Sequence, residues 1–474
     1  MIEMIDYEAF GDLRAHRLPS GPRSRLLATL GIAGDVAGAM RSWKRRYGPT
    51  FTINEISGKM VLTSEPELVR KIFTAPESTF DGALPEAADI IIGPRSVAMS
   101  VGEQHQRLRK LLTPSFCASS LGPWGETIAA TTRRVFRGGT AGQVFPCRSS
   151  MAELTTRVIV RIIFGANGQR EEDRMYQTAR NTMRAQHPFF LVTRHLQRDL
   201  GPFTPYRRYK LAAQKLDALL YERIARARTE SPDEPNVLTS MACGRFEDGS
   251  SMSDIEIRDN LYSLLVAGYE TTAYALTWAM YFLHRHPEAL RRLRDELDTV
   301  GPDGDPVAFT QLPFLNATID ETLRICPPAP FTTRRLGKTW ELGEWVIPPG
   351  TYVAPATYLL HHDENIWGDP ENFRPERFLD HRPSPFEFLP FGGGAHRCLG
   401  AALSKFEAAV VLGTLLTSHE AELCSPNKVD YVRTTLTTGP KQDFPIRLSP
   451  RGPRQPHAGA GQRPEAATGC PFHS

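Results

Sequence analysis

One unusually long helical segment near the middle of the chain constrains the fold more than any other feature. Its apolar spacing runs from "MSDIE" (252–256) to Pro287, about 33 residues, whereas an average helix has about 11 to 12. Ser253 and Glu256 have the spacing of a capping box, which predicts the helix start. Apolar residues from about 103 to 300 also follow mostly helical spacing, broken by short loops. The chain is therefore predicted to be mainly helical.

The middle of this segment carries polar residues where burial should penalise them. Gly268, Glu270, Thr271 and Thr272 interrupt an otherwise apolar run. One interpretation is a loosened helix whose threonines bond back to carbonyls one turn earlier. The other is a helix opened beside a ligand, with a proton-carrying acid and a hydroxyl facing that ligand. The residues alone leave both interpretations open.

Strand-like alternation occurs in three places and predicts a small β-rich part. These places are residues 45–75, 340–357 and 430–447. A chain of 474 residues could hold several domains, but single catalytic units also reach this size. We predict one domain over residues 1–450. The last segment, 451–474, is rich in Gly, Pro and Ala and is predicted to be a disordered tail.

Charge and cysteine content exclude several classes of protein. The formal net charge is +3, so nothing indicates a general nucleic-acid binder. Seven cysteines are scattered without a Cys-x-x-Cys pair, which argues against zinc or a disulfide framework and favours a reducing cytosol. The first apolar run, residues 26–34, is roughly half the length that a membrane span requires. We therefore expect a cytoplasmic protein without a membrane anchor.

A glycine-rich loop holds a lone cysteine before an apparent helix, in "FGGGAHRCLGAALSKFE" (391–407). The loop lacks the glycine spacing or lysine of a phosphate loop, and His396 and Cys398 are too few for zinc. A cysteine nucleophile would need a partner base that the sequence does not identify. What remains is a thiolate ligand to a large cofactor. Close backbone N–H groups and the positive end of the helix starting near Leu399 predict a stabilised thiolate.

Two further patterns bring charged side chains to one helix face. Glu321 and Arg324 are three residues apart before a proline pair, and Arg377 follows in a proline-flanked turn. His105 and Arg109 are four residues apart, a spacing that lets both bind one anion. Each pattern alone also fits an ordinary surface ion pair or a solvated basic face.

Together these motifs resemble those of the cytochrome P450 family of haem-thiolate monooxygenases. The glycine-rich loop matches the family's Phe-x-x-Gly-x-(Arg or His)-x-Cys-x-Gly pattern, and the polar stretch of the long helix matches its oxygen-activating segment. The Glu-x-x-Arg pair and the later arginine match the family's Glu-Arg-Arg structural triad. The matching segments, in the family's order and spacing, are "AGYETT" (267–272), "ETLR" (321–324), "PERF" (375–378) and "FGGGAHRCLG" (391–400).

The resemblance implies a mainly helical P450 fold with small β-sheets and a role for each motif. Cys398 is expected to be the axial ligand of haem iron, which favours O–O cleavage. Phe391 is expected to pack against its sulfur, and Gly392 to belong to the same cofactor-binding loop. Glu270 is expected to relay protons and Thr271 to hydrogen-bond dioxygen. The residues expected to bind the haem propionates are His105, Arg109, Arg334 and His396, with Arg335 as a substitute for Arg334.

The resemblance also implies the cofactor and the partners. The cofactor is expected to be haem b, and the reaction hydroxylation or epoxidation of a fatty acid, terpenoid, steroid or polyketide by O2. No flavin or iron–sulfur module is visible, so electrons are expected from NAD(P)H through a ferredoxin or flavodoxin and its reductase. A monomer is expected. Two other classes stay open: a peroxide-using haem-thiolate enzyme and a non-catalytic haem-binding protein.

The substrate is the least determined feature. In the family, the pocket is lined by segments that are mostly apolar in this chain, which favours a lipophilic molecule. No charged anchor stands out among them, because Arg95 could equally face solvent. The corresponding residues are 80–99, 187–192, Leu264, Leu265, 328–333 and 436–439.

Overall fold

A computed structural model gives the fold of most of the chain. The predicted tail after Arg451, and all but the first residue of the pocket segment 187–192, lie outside the described residues. The described residues are 16–56, 58–137, 142–166, 168–187, 197–199, 201, 204–229, 236–425, 428–434 and 436–451.

Helices account for most of the described residues, as the apolar spacing predicts. In chain order they are α1 (Arg25–Ala33), α2 (Val36–Tyr47), α3 (Pro66–Thr74), α4 (Asp89–Ile92), α5 (Gly102–Leu112), α6 (Gly125–Val135), α7 (Cys147–Ile162), α8 (Gln169–Ala185), α9 (Pro205–Ala227), α10 (Val237–Cys243), α11 (Asp254–Arg285), α12 (Pro287–Leu297), α13 (Pro313–Ile325), α14 (Thr357–His361), α15 (Glu364–Trp367), α16 (Arg377–Asp380) and α17 (Ala401–Ser418). The longest described helix, α11, packs along α7, α9 and α13 and so lies at the centre of the fold.

Helix α11 begins and ends where the sequence predicts. It has 32 residues, and Pro287 follows it. Its capping box is complete, because the Ser253 side chain accepts from the Glu256 N–H and the Glu256 carboxylate accepts from the Ser253 N–H at 2.9 Å. The helix is continuous through Gly268, so its backbone is not broken at the polar residues.

Strands form small sheets beside the helices. They are β1 (Thr50–Glu55), β2 (Gly58–Thr63), β3 (Phe80–Gly82), β4 (Gln143–Pro146), β5 (Arg334–Leu336), β6 (Trp340–Leu342), β7 (Trp345–Ile347), β8 (Tyr352–Pro355), β9 (His419–Leu423), β10 (Tyr431–Arg433), β11 (Thr438–Pro440) and β12 (Pro445–Pro450). The largest sheet of the described residues has the order β1-β2-β8-β5-β3, with β2 and β8 parallel and the other pairs antiparallel. The smaller sheets are β4-β12-β9, β10-β11 and β6-β7.

Two short strands lie in the middle of the predicted β-rich segment 45–75, and its two ends belong to helices α2 and α3. Strands β1 and β2 pair in antiparallel register as a hairpin. A proline in the first turn of α3 suits a helix, and Val69, Ile72 and Phe73 are buried on one face of it, so helical packing prevails over local strand propensity.

Helix α17 follows the cysteine loop and lies in the core. By length and composition it is apolar enough to cross a membrane, with a mean hydropathy of 1.3 over 18 residues. However, 72% of it is buried inside the protein, where it packs against α6, α11 and α13. Val411, Leu412 and Leu416 are among its fully buried residues. The helix therefore serves as a core element behind the loop that precedes it.

Glu321, Arg324 and Arg377 form a buried network. Arg324 donates from Nε and Nη2 to the Glu321 carboxylate at 2.7 and 2.9 Å, and Arg377 donates to the same carboxylate from Nε at 3.1 Å. The side chains of Glu321 and Arg324 are both 0% exposed. The alternative of an ordinary surface ion pair is therefore wrong for these residues. The network has the composition of the structural triad that the resemblance implies.

This network reaches the cysteine loop through His361. Arg324 Nη1 donates to the His361 carbonyl at 2.7 Å, and the N–H of Leu389, just before the loop, donates to His361 Nε2 at 3.0 Å. Because Nε2 accepts, Nδ1 carries the proton and donates to the Arg324 carbonyl at 3.2 Å. Burial, followed by the charge of Arg324, holds the pKa of His361 well below its usual value, so the imidazole is neutral in the folded protein.

Acid is expected to destabilise the fold through His361. An unfolded chain protonates histidine below about pH 6.5, whereas the folded protein holds the pKa of His361 well below that value. The free energy of unfolding should therefore fall as the pH drops below about 6.5, and urea unfolding at a series of pH values measures it. In His361→Gln the amide oxygen can still accept from Leu389, but the side chain does not titrate. The free energy of unfolding of this variant should therefore fall less below about pH 6.5 than that of wild type. An equal loss in both proteins would contradict this role.

Candidate active site

Cys398 lies in the glycine-rich loop immediately before α17, and the shape of the loop requires its glycines. Gly392 and Gly394 have φ of +64° and +65°, the left-handed region that favours glycine. A Cβ on Gly394 would lie 2.5 Å from the Phe73 carbonyl oxygen. The Cys398 N–H donates to the Phe391 carbonyl at 2.9 Å and closes the loop. The backbone of the loop thus holds the cysteine in place.

The Cys398 side chain is accessible although protein surrounds much of the residue. Burial is the largest influence on the thiol and raises its pKa. The Gly400 N–H and the charges of Arg397 and Arg109 lower the pKa without overcoming burial. The Gly400 N–H thus favours the thiolate, in the direction that the sequence predicts, while burial raises the pKa by more. Accessibility together with desolvation fits a thiol that lines an internal space.

Four basic side chains predicted to bind one cofactor lie together beside the cysteine loop. The rings of His105, on α5, and His396 stack with their centroids 3.8 Å apart. Arg109, one turn after His105, donates from Nη1 to the Arg397 carbonyl at 2.9 Å. Arg334, the first residue of β5, is 7% exposed and donates to two backbone carbonyls at 2.7 and 3.3 Å. The fold thus gathers this basic cluster (His105, Arg109, Arg334 and His396) from three parts of the sequence.

The electrostatics of the basic cluster favour a bound anion. Burial lowers the pKa of Arg334 to about 10. The pKa of His396 is lowered to about 3, first by burial and then by the charges of Arg334, His105 and Arg109. Burial also lowers the pKa of His105, against the opposing carboxylate of Glu77, whose oxygen lies 3.5 Å from Nδ1. An anion among these groups would compensate their lost hydration and their mutual repulsion.

Arg334, and not its neighbour Arg335, belongs to this cluster. Arg335 donates to the carboxylates of Asp81 at 2.7 Å and Glu86 at 2.8 Å. Successive side chains of a strand point to opposite faces, so the surface pairing of Arg335 directs Arg334 inwards. Of the two arginines that the sequence allows, Arg334 is the one that lies beside the cysteine loop, where it donates to the Gly393 carbonyl.

Glu270 and Thr271 are neighbours in sequence but contact different partners. Glu270 accepts from the Tyr269 hydroxyl at 3.0 Å and from the Thr437 hydroxyl at 2.8 Å. Thr271 Oγ1 donates back to the Ala267 carbonyl at 2.7 Å, as the loosened-helix interpretation predicts. Ala267 is exposed, whereas α11 is buried before and after this turn. This turn of the helix therefore borders open space.

Thr272 and Gly268 have packing roles instead. The Thr272 hydroxyl is buried and lies 3.2 Å from the Ser404 hydroxyl of α17. A Cβ on Gly268 would lie 2.8 Å from a side-chain carbon of Ile159, so glycine allows α11 to approach α7. These contacts leave Thr271 as the threonine hydroxyl at the open turn.

Two cavities in this region separate the predicted residues. The first, of about 380 Å³, is lined mainly by apolar side chains together with Arg334 and His396, and is termed the apolar cavity. The second, of about 650 Å³, holds Glu270 and Tyr269 and is termed the polar cavity. Leu264 and Leu265 are buried in the core rather than lining the apolar cavity. The predicted pocket residues that do line it include Ala83, Leu84, Ala98, Ala329, Phe331 and Leu436.

Two charged residues that line the apolar cavity could not be identified from the sequence. Arg433 and Glu55 both line it, although they come from opposite ends of the chain. Arg95, the candidate anchor in the sequence, is exposed. Neither Arg433 nor Glu55 belongs to a recognisable motif. Burial of a charged residue is the signal that identifies them, and it requires the fold.

Comparisons with known proteins agree with this geometry. The family model described as Cytochrome P450 matches residues 19–444. Cytochrome P450 137 of Mycobacterium tuberculosis is 32% identical over 440 residues, which cover 91% of this chain and 90% of the relative. Cytochrome P450 138 of Mycobacterium bovis is 33% identical over 388 residues, covering 80% of this chain and 84% of the relative. The chain belongs to the cytochrome P450 family.

A solved structure confirms the P450 fold. The structure titled "Retinoic acid bound cyanobacterial CYP120A1" is similar to this chain with a TM-score of 0.81 at 23% sequence identity. The similarity covers 92% of this chain and 100% of that one. The prediction of a mainly helical P450 fold with small β-sheets is confirmed.

Family membership makes this P450 a haem-thiolate monooxygenase in general terms, an oxidoreductase that binds haem. Its residues fit that cofactor. Cys398 offers an accessible sulfur, and the basic cluster beside it suits the carboxylates that haem carries. The raised pKa of the thiol is also compatible, because a metal cation deprotonates a thiol that coordinates it.

Proposed function

We propose that this P450 uses haem b and O2 to hydroxylate or epoxidise a lipophilic small molecule, such as a fatty acid, terpenoid, steroid or polyketide. The observation that carries the proposal is the accessible Cys398 thiol, held by its glycine loop beside the basic cluster. The apolar lining of the adjoining cavity supports a lipophilic substrate. Bound haem would supply the redox chemistry of oxygen activation.

Each contact with the cofactor is assigned to a residue of the site. Cys398 would ligate the iron through its sulfur, while Phe391 and Gly392 shape the loop around that sulfur. His396, whose pKa is lowered to about 3 by burial and by the cations around it, would donate a hydrogen bond to a propionate, and the anion would raise that pKa. The groups proposed to bind the propionates are His105, Arg109, Arg334 and His396.

Glu270 and Thr271 are proposed to manage protons. The Glu270 carboxylate accepts from the Tyr269 and Thr437 hydroxyls, one on each oxygen, and both oxygens keep lone pairs that can take up a proton. The Thr271 hydroxyl has a single hydrogen, which it donates to the Ala267 carbonyl. To donate to dioxygen it must redirect that hydrogen towards the open turn. Thr271 therefore needs a rotation of its hydroxyl rather than a rearrangement of α11.

Thr271→Ala is expected to keep haem and substrate binding but to lower product formed per NADPH by about tenfold, with hydrogen peroxide taking up the difference. The reason is that the open turn loses the hydroxyl that guides proton delivery. The measurement compares the amounts of NADPH consumed, product formed and hydrogen peroxide released. Thr272→Ala is the matched control, since the Thr272 hydroxyl contacts Ser404, and this variant should keep the wild-type yield of product per NADPH. A low yield in Thr272→Ala with a normal yield in Thr271→Ala would assign proton delivery to Thr272.

Electrons are proposed to come from NAD(P)H through a separate ferredoxin or flavodoxin and its reductase. The protein is proposed to act as a monomer in the cytoplasm. Burial of α17, the described helix apolar enough to cross a membrane, argues against a membrane-spanning role for that helix. Both proposals extend the family assignment to partners and compartment.

The proposed function is tested with haem-loaded protein, a ferredoxin–reductase pair and lipophilic compounds under isotopically labelled O2. Substrate-dependent NADPH use and one labelled oxygen atom in the product would support it. Turnover with hydrogen peroxide alone would indicate the peroxide-using alternative. Haem binding without turnover under any of these conditions would indicate a non-catalytic haem protein.

A further inference from the structure

Arg433 contributes a cationic side chain to the wall of the apolar cavity. It is the last residue of β10 and pairs with Thr438 of β11. Its guanidinium carbon lies 6.0 Å from the ring centroid of Phe331, another residue of the wall. Leu84 and Leu436 also line the cavity. A cation in such surroundings is costly unless an anionic or hydrogen-bonding group compensates it.

Glu55 is an acid whose charge acts on Arg433. It is the last residue of β1, is 8% exposed and lines the same cavity. Burial is the larger influence and lowers the pKa of Arg433, while Glu55 opposes this shift. A guanidinium group has five N–H donors in a planar fork, so it can bind a ligand carboxylate from the cavity while it stays beside Glu55.

The apolar cavity connects Arg433 with the cofactor site and with the surface. Arg334 and His396 of the basic cluster line the cavity, which places it beside the proposed propionate contacts. Ala33 and Ile56 also line it and are exposed, so the cavity reaches the outside of the protein there. A ligand in this cavity would lie next to the cofactor and within reach of Arg433.

We propose that Arg433 binds the carboxylate of a lipophilic acid whose apolar chain occupies the apolar cavity, and that Glu55 competes with this carboxylate for Arg433. The inference rests on the proposed function, because it names the substrate class of the same site. A bidentate, charge-assisted contact in a desolvated cavity is stronger and more directional than an exposed ion pair. It selects an acid over the ester with the same chain, which presents no charge to the guanidinium.

The test measures the binding of dodecanoic acid and of methyl dodecanoate to haem-loaded protein. Isothermal titration calorimetry gives the dissociation constants, and the Soret shift of the haem reports whether the ligand sits beside the cofactor. The variants are Arg433→Gln, Arg433→Lys and Glu55→Gln. Arg447→Gln is the matched control, because Arg447 is an exposed arginine of β12 that pairs with Glu422 at 2.6 Å.

The acid and its ester should respond differently. Arg433→Gln should weaken binding of the acid by about 10- to 100-fold and binding of the ester by less than about threefold. Arg433→Lys should fall between wild type and Arg433→Gln, because lysine keeps the charge without the planar fork. Glu55→Gln should tighten acid binding by about three- to tenfold, since a competing carboxylate is removed. Arg447→Gln should change neither affinity.

Three results would overturn the proposal. They are unchanged acid binding in Arg433→Gln, an equal loss of acid and ester binding in that variant, and failure of wild type to bind the acid. The proposed function survives all three if the protein still oxidises other lipophilic compounds. If Arg433→Gln does not fold, the acid affinities of Glu55→Gln and Arg433→Lys test the proposal instead. Acid binding unaltered from wild type in both variants would also refute it.

Discussion

Replacing Cys398 with alanine should abolish the absorption band that distinguishes thiolate-ligated haem when the reduced protein binds carbon monoxide. Cys398 is the cysteine of the glycine-rich loop, and it is accessible beside the basic cluster. Cys147 and Cys326 are poor substitutes, because both are buried and burial raises the pKa of each thiol. The measurement is the reduced, carbon monoxide difference spectrum, normalised to haem content, and the band should fall to background.

Two kinds of control separate ligation from folding. Cys117→Ala and Cys243→Ala remove exposed cysteines outside the loop and should keep the full band. Cys398→Ser nearly preserves the volume of the side chain and should lose the thiolate band even where haem is retained. A thiolate band of normal size in Cys398→Ala would sink the assignment of the iron ligand.

Replacing Arg324 with alanine should cost about 3 to 5 kcal/mol of unfolding free energy, the range for breaking a buried ion pair. The Glu321 carboxylate would stay buried with less compensation, and the His361 carbonyl would lose a donor. Because His361 also accepts from Leu389 beside the cysteine loop, haem content should fall together with stability. Urea unfolding and the ratio of haem to protein measure the two effects.

The pair Glu288 and Arg291 on α12 provides a matched control for Arg324. It has the same three-residue spacing and a distance of 2.6 Å, but the side chains are 90% and 66% exposed. Arg291→Ala should change the free energy of unfolding by less than about 0.5 kcal/mol. Similar losses for Arg291→Ala and Arg324→Ala would show that burial does not give the triad its importance.

The long helix and the motif residues could be predicted because their determinants are local. Ser253, Glu256 and Pro287 mark the ends of α11 through capping and the loss of a backbone donor, and both effects act within a turn. The three-residue spacing of Glu321 and Arg324 likewise guarantees that their side chains share a face. Such rules need no knowledge of distant contacts, so they hold in the folded protein.

The remainder depends on contacts between distant parts of the chain. Glu270 accepts from Thr437, which is 167 residues away, and no local pattern announces that contact. The pKa of the Cys398 thiol depends on how densely other segments pack around the loop, because burial raises it while the Gly400 N–H lowers it. Glu55 and Arg433 meet in one cavity only after the sheets have formed. Burial of this kind is a tertiary property.

The turn between β10 and β11 borders both cavities. Leu436 lines the apolar cavity, while the next residue, Thr437, donates to Glu270. Thr434, whose hydroxyl lies 3.1 Å from that of Thr437, lines the polar cavity. Residues 434, 436 and 437 of this turn therefore together contact both cavities. A ligand that displaces Leu436 would act on the backbone next to Thr437, the donor to Glu270.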